Sequence, residues 1–439
     1  MKTKRYCFFI ILMAALMFVQ AAYSSTPSIL SLRERAEIIN RWLTIRLEEV
    51  LPEIMRREKF DMWIVICREY NEDPVYKTLV PATSFAARRL TMLVFYDRGK
   101  EGVERLAVSR YGIRGFYEGV WNPDEMDQWT CLAKVVSERD PKRIGINVSD
   151  TFAFGDGLSD SLKERLMEAL GKTYASRTQH AERLAVGWLE HRHPAELEVY
   201  HHIVRIAHEI IAQAFSDRVI TPGVTTTQDV VWWIRQKICD LGLGTWFQPS
   251  VSIQRRQAKG EEPSRYVVIQ RGDLLHCDIG ITYLRLNTDT QEHAYVLKEG
   301  ETDAPEGLKK ALQNGNRLQD ILTGEFKEGR TGNEILLASL EKMKAEGING
   351  SIYTHPLGFH GHAAGPTIGL WDQQRAIPGR GDYPLFTNTA YAIELNARMT
   401  IPEWDDQEIR IALEQDAVYI KDVGVYYLDG RQTTFHLVK

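Results

Sequence analysis

Leu274-Leu275-His276-Cys277-Asp278-Ile279-Gly280 reads as a strand with one carboxylate among apolar neighbours, and Asn287-Thr288-Asp289-Thr290 brings a second carboxylate eleven positions on. An aspartate in so apolar a strand is costly unless it is paired or binds a cation. If the two runs form a hairpin turning near Tyr283–Leu284, Asp278 and Asp289 face each other across it. Facing carboxylates repel unless a cation lies between them. A solvated turn at Asp289 is the plain alternative.

Further along, His355-Pro-Leu-Gly-Phe-His360-Gly-His362-Ala-Ala-Gly365-Pro366 puts three histidines among glycines that let backbone pack closely. Such a cluster suits a metal site or a cleft, and also occurs as plain surface. Glu394, in Tyr391-Ala392-Ile393-Glu394-Leu395, and Glu414, in Ile411-Ala412-Leu413-Glu414-Gln415, repeat the pattern of a carboxylate in an apolar strand. An isolated one would be protonated or paired, and an edge strand whose glutamate faces water is the bland reading. Four acids and a histidine make a hard-oxygen site for manganese, cobalt or zinc, sized for two ions roughly 3.5–4 Å apart.

The rest of the chain divides around these motifs. Strand-like runs at Met62–Cys67, Met92–Tyr96, Arg105–Val108 and Arg143–Asn147 alternate with helical stretches at Leu32–Phe60 and Asp160–Leu170, which predicts an α/β unit. The pattern loosens between Thr173 and Glu190, and a domain boundary is expected there. Beyond it, helices are expected at Pro194–Phe215, Thr227–Leu241, Gly307–Leu322 and Gly332–Ala345, two of them opened by the capping boxes Thr226/Asp229 and Thr331/Glu334. Strands are expected at Asp273–Tyr283, Asn287–Val296, Ala390–Ala397 and Ile409–Lys421, with a last hairpin turning on Asp429–Gly430.

Composition sets outer bounds. At 439 residues with a formal charge of −5, the chain is long enough for two or three domains and carries no basic stripe, which argues against a nucleic-acid partner. Lys2, Lys4 and Arg5 precede an apolar run from Cys7 to Val19 and small residues through Ser25. That is the layout of a signal peptide, and the run is short of the about 20 residues of a membrane span. Export to the periplasm or the exterior is expected, with no membrane contact once the signal is removed. Cys67, Cys131, Cys239 and Cys277 show no close spacing, so no thiolate zinc site is expected.

Taken in order, the two aspartates eleven apart, Gly361-His362-Ala363-Ala364-Gly365, Glu394 and Glu414 resemble the pita-bread metallopeptidase family, in its aminopeptidase P, prolidase and creatinase branch. The resemblance runs over the whole mature chain. With the expected signal peptide at 1–25 set aside, it implies an α/β N-terminal domain at 26–180 and an α+β pita-bread catalytic domain at 181–439. It also implies two divalent ions, manganese first with cobalt or zinc as alternatives, held by Asp278, Asp289, His362, Glu394 and Glu414. His360 or His355 would be the ligand under another alignment, and those not used would contact substrate. Glu394 would also shuttle a proton. The activity implied is hydrolysis of the N-terminal bond of a peptide or dipeptide, of Xaa-Pro type, by a chain that can pair as a homodimer. A creatinase-like amidinohydrolase and a catalytically altered binding module are the alternatives. Three departures stand out: Arg255 to Ser264 lacks the family's histidine, Gly369-Leu370-Trp371-Asp372 stands where His-Asp or His-Glu is usual, and Gln291-Glu292-His293 replaces Thr-Arg-Thr. The expected metal shell is intact while the shell that handles peptide is rewritten.

Overall fold

A computed structural model describes residues 28–256 and 266–439. The expected signal peptide and residues 257–264 of the histidine-free stretch lie outside them.

The first half is built on one six-stranded sheet. Its strands are β1 (Met62–Arg68), β2 (Leu90–Asp97), β3 (Val103–Ala107), β4 (Glu118–Gly119), β5 (Ile144–Ile146) and β6 (Thr178–His180), in the order β4-β3-β2-β1-β5-β6. Strand periodicity divides β1 between two cores: Trp63, Val65 and Cys67 enter one, and Met62, Ile64 and Ile66 the other. Helices α1 (Leu32–Ile45) and α2 (Leu51–Arg57) belong to the long helical stretch expected over 32–60. Between them, Arg46–Val50 widens into a π-helical turn in which Leu51 N–H reaches back to Arg46 O. Pro52 explains the bulge, because its ring excludes the carbonyl four residues back and it has no N–H to give. Helices α3 (Gln128–Arg139) and α4 (Asp160–Ala175) cover the opposite face. The expected stop at Gly171 is a kink inside α4, where its φ is 62°.

After α5 (Glu182–Glu190) come α6 (Pro194–Ala214) and α7 (Thr227–Asp240), the latter opened by the Thr226/Asp229 box. They pack on a sheet ordered β20-β12-β9-β8, where β8 is Ser250–Gln254, β9 Leu274–Ile279, β12 Thr290–Val296 and β20 His436–Val438. The short strands β7 (Gly244–Thr245), β10 (Ile281–Tyr283) and β11 (Leu286–Asn287) form a second small sheet. Helices α8 (Glu306–Thr323) and α9 (Gly332–Ala345) lie in a separate core with the remaining strands. Gly315 admits α8 to that sheet: a Cβ there would stand 3.0 Å from Leu413 Cδ1.

Two sequence expectations change at the strands that carry the carboxylates. The hairpin turns at Leu284–Arg285, both at positive φ, not at Tyr283–Leu284, so the residue opposite Asp278 is Gln291. A turn one residue later moves each partner by two positions. Both acids therefore stay on one face, as diagonal neighbours instead of a facing pair. The runs Ala390–Ala397 and Ile409–Lys421 are each divided in two. One sheet holds β13 (Asn349–Ile352), β16 (Leu395–Ile401) and β17 (Gln407–Leu413) in the order β13-β16-β17. The other holds β14 (His355–Leu357), β15 (Thr389–Ala392), β18 (Asp416–Ile420) and β19 (Gly424–Tyr427) in that order. The chain crosses between these sheets at Tyr353–Thr354, Ile393–Glu394 and Glu414–Gln415, and Tyr353 N–H to Glu394 O and Ile393 N–H to Gln415 O tie the crossings together. Glu394 and Glu414 sit at these bends.

Candidate metal centre

Each carboxylate enters the site from a place where a strand ends or bends. Asp278 lies near the end of β9, Asp289 between β11 and β12, Glu394 between β15 and β16, and Glu414 between β17 and β18. Asp289 and Glu414 are 3% and 1% exposed, so their charges are removed from water. Ligand atoms of Asp278, Asp289 and Glu414 all lie within 4.8 Å of one another, and so do those of His355, Glu394 and Glu414. His355 Nε2 is 3.5 Å from both Asp289 Oδ2 and Glu414 Oε1, and 4.0 Å from Glu394 Oε2.

Buried polar atoms normally find partners, yet Asp278 Oδ1, Glu414 Oε1 and His355 Nε2 have none. Burial and the charge of Glu414 hold Asp278, Asp289 and Glu394 well above the usual carboxylate range, and burial pushes Glu414 up to about 7. His355 is lowered to about 4 by burial, so its imidazole is neutral near pH 7. Its Nδ1 lies 3.0 Å from Pro356 O, which places the proton on Nδ1 and leaves the Nε2 lone pair facing the acids. Crowded acids, three unpartnered atoms and a neutral imidazole fit divalent cations.

The expected histidine ligand was His362. It lies on the exposed rim and, among the described residues, shares a cluster only with Asp289 and His355, whereas His355 also reaches Glu394 and Glu414. His360 is not in any of these clusters among the described residues; its ring stacks on Phe154 at 4.0 Å and 14°.

Several residues the sequence reading missed hold the site in place. Gln291 Nε2 donates to Glu414 Oε2 at 2.7 Å and to Glu394 Oε1 at 3.1 Å. Asp416 accepts the Asp289 N–H at 3.1 Å, and the Tyr200 hydroxyl donates to Asn287 O. Trp246 Nε1 donates to Thr288 O at 2.9 Å. Its indole lies against Gly280 and Gly361, where an added Cβ would come within 2.2 Å of it, and meets His362 edge-on at 5.1 Å. Alternation along β12 was the available signal for Gln291, since it shares a face with Asp289. No local signal marks Trp246.

Two cavities flank the centre. One, of about 150 Å³, is lined by His355, His362, Tyr353 and Arg380 together with Thr151–Phe154 from the first half of the chain. The other, of about 490 Å³, begins at Glu394 and Tyr353 on the opposite side.

Residues 201–427 match the profile of metallopeptidase family M24. No curated protein matches the chain. Among solved structures, the X-Pro aminopeptidase of Thermotoga maritima MSB8 is 18% identical with a TM-score of 0.59, the alignment covering 88% of this chain and 100% of that one. The Xaa-Pro dipeptidase of Bacillus anthracis is 16% identical with a TM-score of 0.57, covering 93% and 100%. A dipeptidase of Pyrococcus horikoshii OT3 is 18% identical with a TM-score of 0.57, covering 89% and 99%. These likenesses establish the fold: an α/β N-terminal part followed by a pita-bread part.

Proposed function

The chain belongs to metallopeptidase family M24, and from that premise we propose that it is an exopeptidase using two divalent ions to hydrolyse the N-terminal bond of short peptides. Xaa-Pro aminopeptidases and dipeptidases are the nearest description. The observation that carries this reading is that Glu414 joins two overlapping clusters, one with Asp278 and Asp289 and one with His355 and Glu394, in which Asp278 Oδ1, Glu414 Oε1 and His355 Nε2 lack partners. Asp278, Asp289, Glu394, Glu414 and His355 would hold the ions, with His362 as the alternative imidazole. Manganese suits four carboxylates and one nitrogen best, and cobalt and zinc remain compatible.

Such ions supply Lewis acidity toward a carbonyl oxygen and a more acidic water. The chain's own residues do the rest. Thr151–Phe154 line the small cavity, and we read it as the place that takes one end of the substrate, with the scissile bond near that end. This is what supports an exopeptidase over an endopeptidase. Glu394 reaches both the acid cluster and the larger cavity, so it is placed to take a proton from the attacking water and return it to the leaving amine. Tyr353, between the two cavities, borders the reacting carbonyl.

We also read residues 1–25 as a signal peptide, which puts the activity in the periplasm or outside the cell. The N-terminus of the secreted chain, read by mass spectrometry, tests that. The activity is tested by incubating the protein, loaded with manganese, cobalt or zinc, with a mixed peptide library beside Asp278→Ala and Glu414→Ala. Cleavage lost in both variants supports the proposal. A wild-type protein that binds two ions and cuts nothing would sink it.

A further inference from the structure

β13 is an edge strand: one side pairs with β16, and on the other Ile352 meets the side chain of Gln374. Gln374 Oε1 accepts the Ile352 N–H and Gln374 Nε2 donates to Ile352 O, both at 2.9 Å, as a neighbouring strand would. The same amide donates to Leu370 O at 2.9 Å. It thereby clips to β13 the turn Leu370–Gln373, closed by backbone bonds of 3.2 and 3.0 Å. Gly369 lets this turn come close, since its φ is 75° and an added Cβ would stand 2.2 Å from Ile352 O. Trp371 rides on the turn, 77% exposed, as one wall of the 490 Å³ cavity. Alternation along β13 turns the N–H and C=O of Gly350 outward like those of Ile352, and Gly350 lines the same cavity. Its lack of a side chain leaves that backbone open to approach.

We propose that the part of a peptide substrate beyond the scissile bond lies as an added strand along β13, pairing its backbone with Gly350 and resting an apolar side chain on Trp371. In strand addition the main-chain bonds supply affinity and the side-chain contacts supply preference. The occupant follows from continuity. Glu394 belongs both to the acid cluster and to this cavity, so a chain leaving the ions past Glu394 meets Trp371 and Gly350. That occupant rests on the peptidase reading. The substrates favoured are peptides of more than two residues with a bulky apolar side chain after the cut.

Calorimetric titrations of the manganese-loaded full chain test this with peptide amides that have CO–CH2 in place of the first peptide bond. Such probes bind without being cut and carry no carboxylate. The probe Ala-Gly-Gly-Gly is expected to bind about tenfold more tightly than Ala-Gly, the gain of added main-chain hydrogen bonds. Sarcosine at its third and fourth residues has no N–H to donate to Gly350 O and should remove that gain. Phenylalanine at the second or third residue should tighten binding by about another tenfold, and Trp371→Ala should abolish this second gain alone. Equal binding of the short and long probes, or none, overturns the proposal, as does a phenylalanine gain that survives Trp371→Ala. A Trp371→Ala chain that keeps its peptide affinity but falls from dimer to monomer in light scattering also overturns it, and gives the surface to a second copy. Release of alanine from Ala-Gly amide with its natural bond reads the peptidase proposal separately.

Discussion

Gln291 and Glu414 are joined twice: their backbones form a bridge, with Gln291 N–H to Glu414 O at 3.0 Å, and Gln291 Nε2 donates to Glu414 Oε2 at 2.7 Å. The same amide reaches Glu394, and His276 Nε2, 2.9 Å from Gln291 Oε1, fixes which end of the amide faces the acids. Outer partners of this kind orient metal ligands and hold them apart. Gln291→Ala is therefore expected to weaken manganese binding by about ten- to a hundredfold, measured by calorimetric titration. An unchanged affinity would make Gln291 a bystander.

The metal-free protein should lose stability as pH rises above 6.5. Asp278, Asp289, Glu394 and Glu414 have folded pKa values above their unfolded ones, Glu414 at about 7. Through that range the folded chain holds protons that the unfolded chain has released, so folding weakens as they leave. His355, His360 and His362, lowered to about 4, act in the opposite sense but only below their unfolded value of 6.5. Glu190, pushed by burial up to about 8, adds to the loss and belongs to none of the acid clusters found among the described residues. Thermal melts at pH 6.5 and 8 in chelator should show a lower Tm at pH 8, with most of the difference removed by manganese. A Tm that rises over that interval without metal contradicts this account.

His355 and His362 can be told apart by counting ions. His355→Ala should bind fewer than two manganese ions per chain by elemental analysis, since its Nε2 reaches Asp289, Glu414 and Glu394. His362→Ala should keep both ions and raise KM, because its side chain is at the rim of the small cavity. The reverse result would return the ligand role to His362.

Gly361→Ala puts a methyl group into the Trp246 indole, which stands 2.2 Å from the added Cβ. Overpacking at such a site costs about 1–3 kcal/mol. The indole also holds Thr288, next to Asp289, so a lower Tm should come with weaker metal binding. A lowered Tm with unaltered affinity would separate Trp246 from the centre.

How far the sequence carried these conclusions follows from where each signal resides. A carboxylate in an apolar run is a local contradiction, so Asp278, Asp289, Glu394 and Glu414 could be picked out one at a time, and capping boxes such as Thr226/Asp229 fixed helix starts. The bends at Glu394 and Glu414 were invisible because both flanking runs are apolar, and only pairing shows that they serve different sheets. The turn at Leu284–Arg285 was misplaced by one residue because neither is a usual turn residue. Among the histidines, the Gly-His-x-x-Gly likeness favoured His362, and only tertiary structure shows His355 buried beside Asp289, Glu394 and Glu414. Thr151–Phe154 at the small cavity, some two hundred residues before His355, belong to tertiary structure alone.

The turn that carries Asp278 and Asp289 is also fastened outward. At its tip, Arg285 donates to Lys77 O and Val80 O at 2.7 Å and to Pro81 O at 3.0 Å, all in the first half of the chain. The halves are consequently not interchangeable modules. A chimera that grafts these residues 181–439 onto a relative's front half must also supply three carbonyls at the right spacing, or it inherits the acids without the anchor that keeps their hairpin in register.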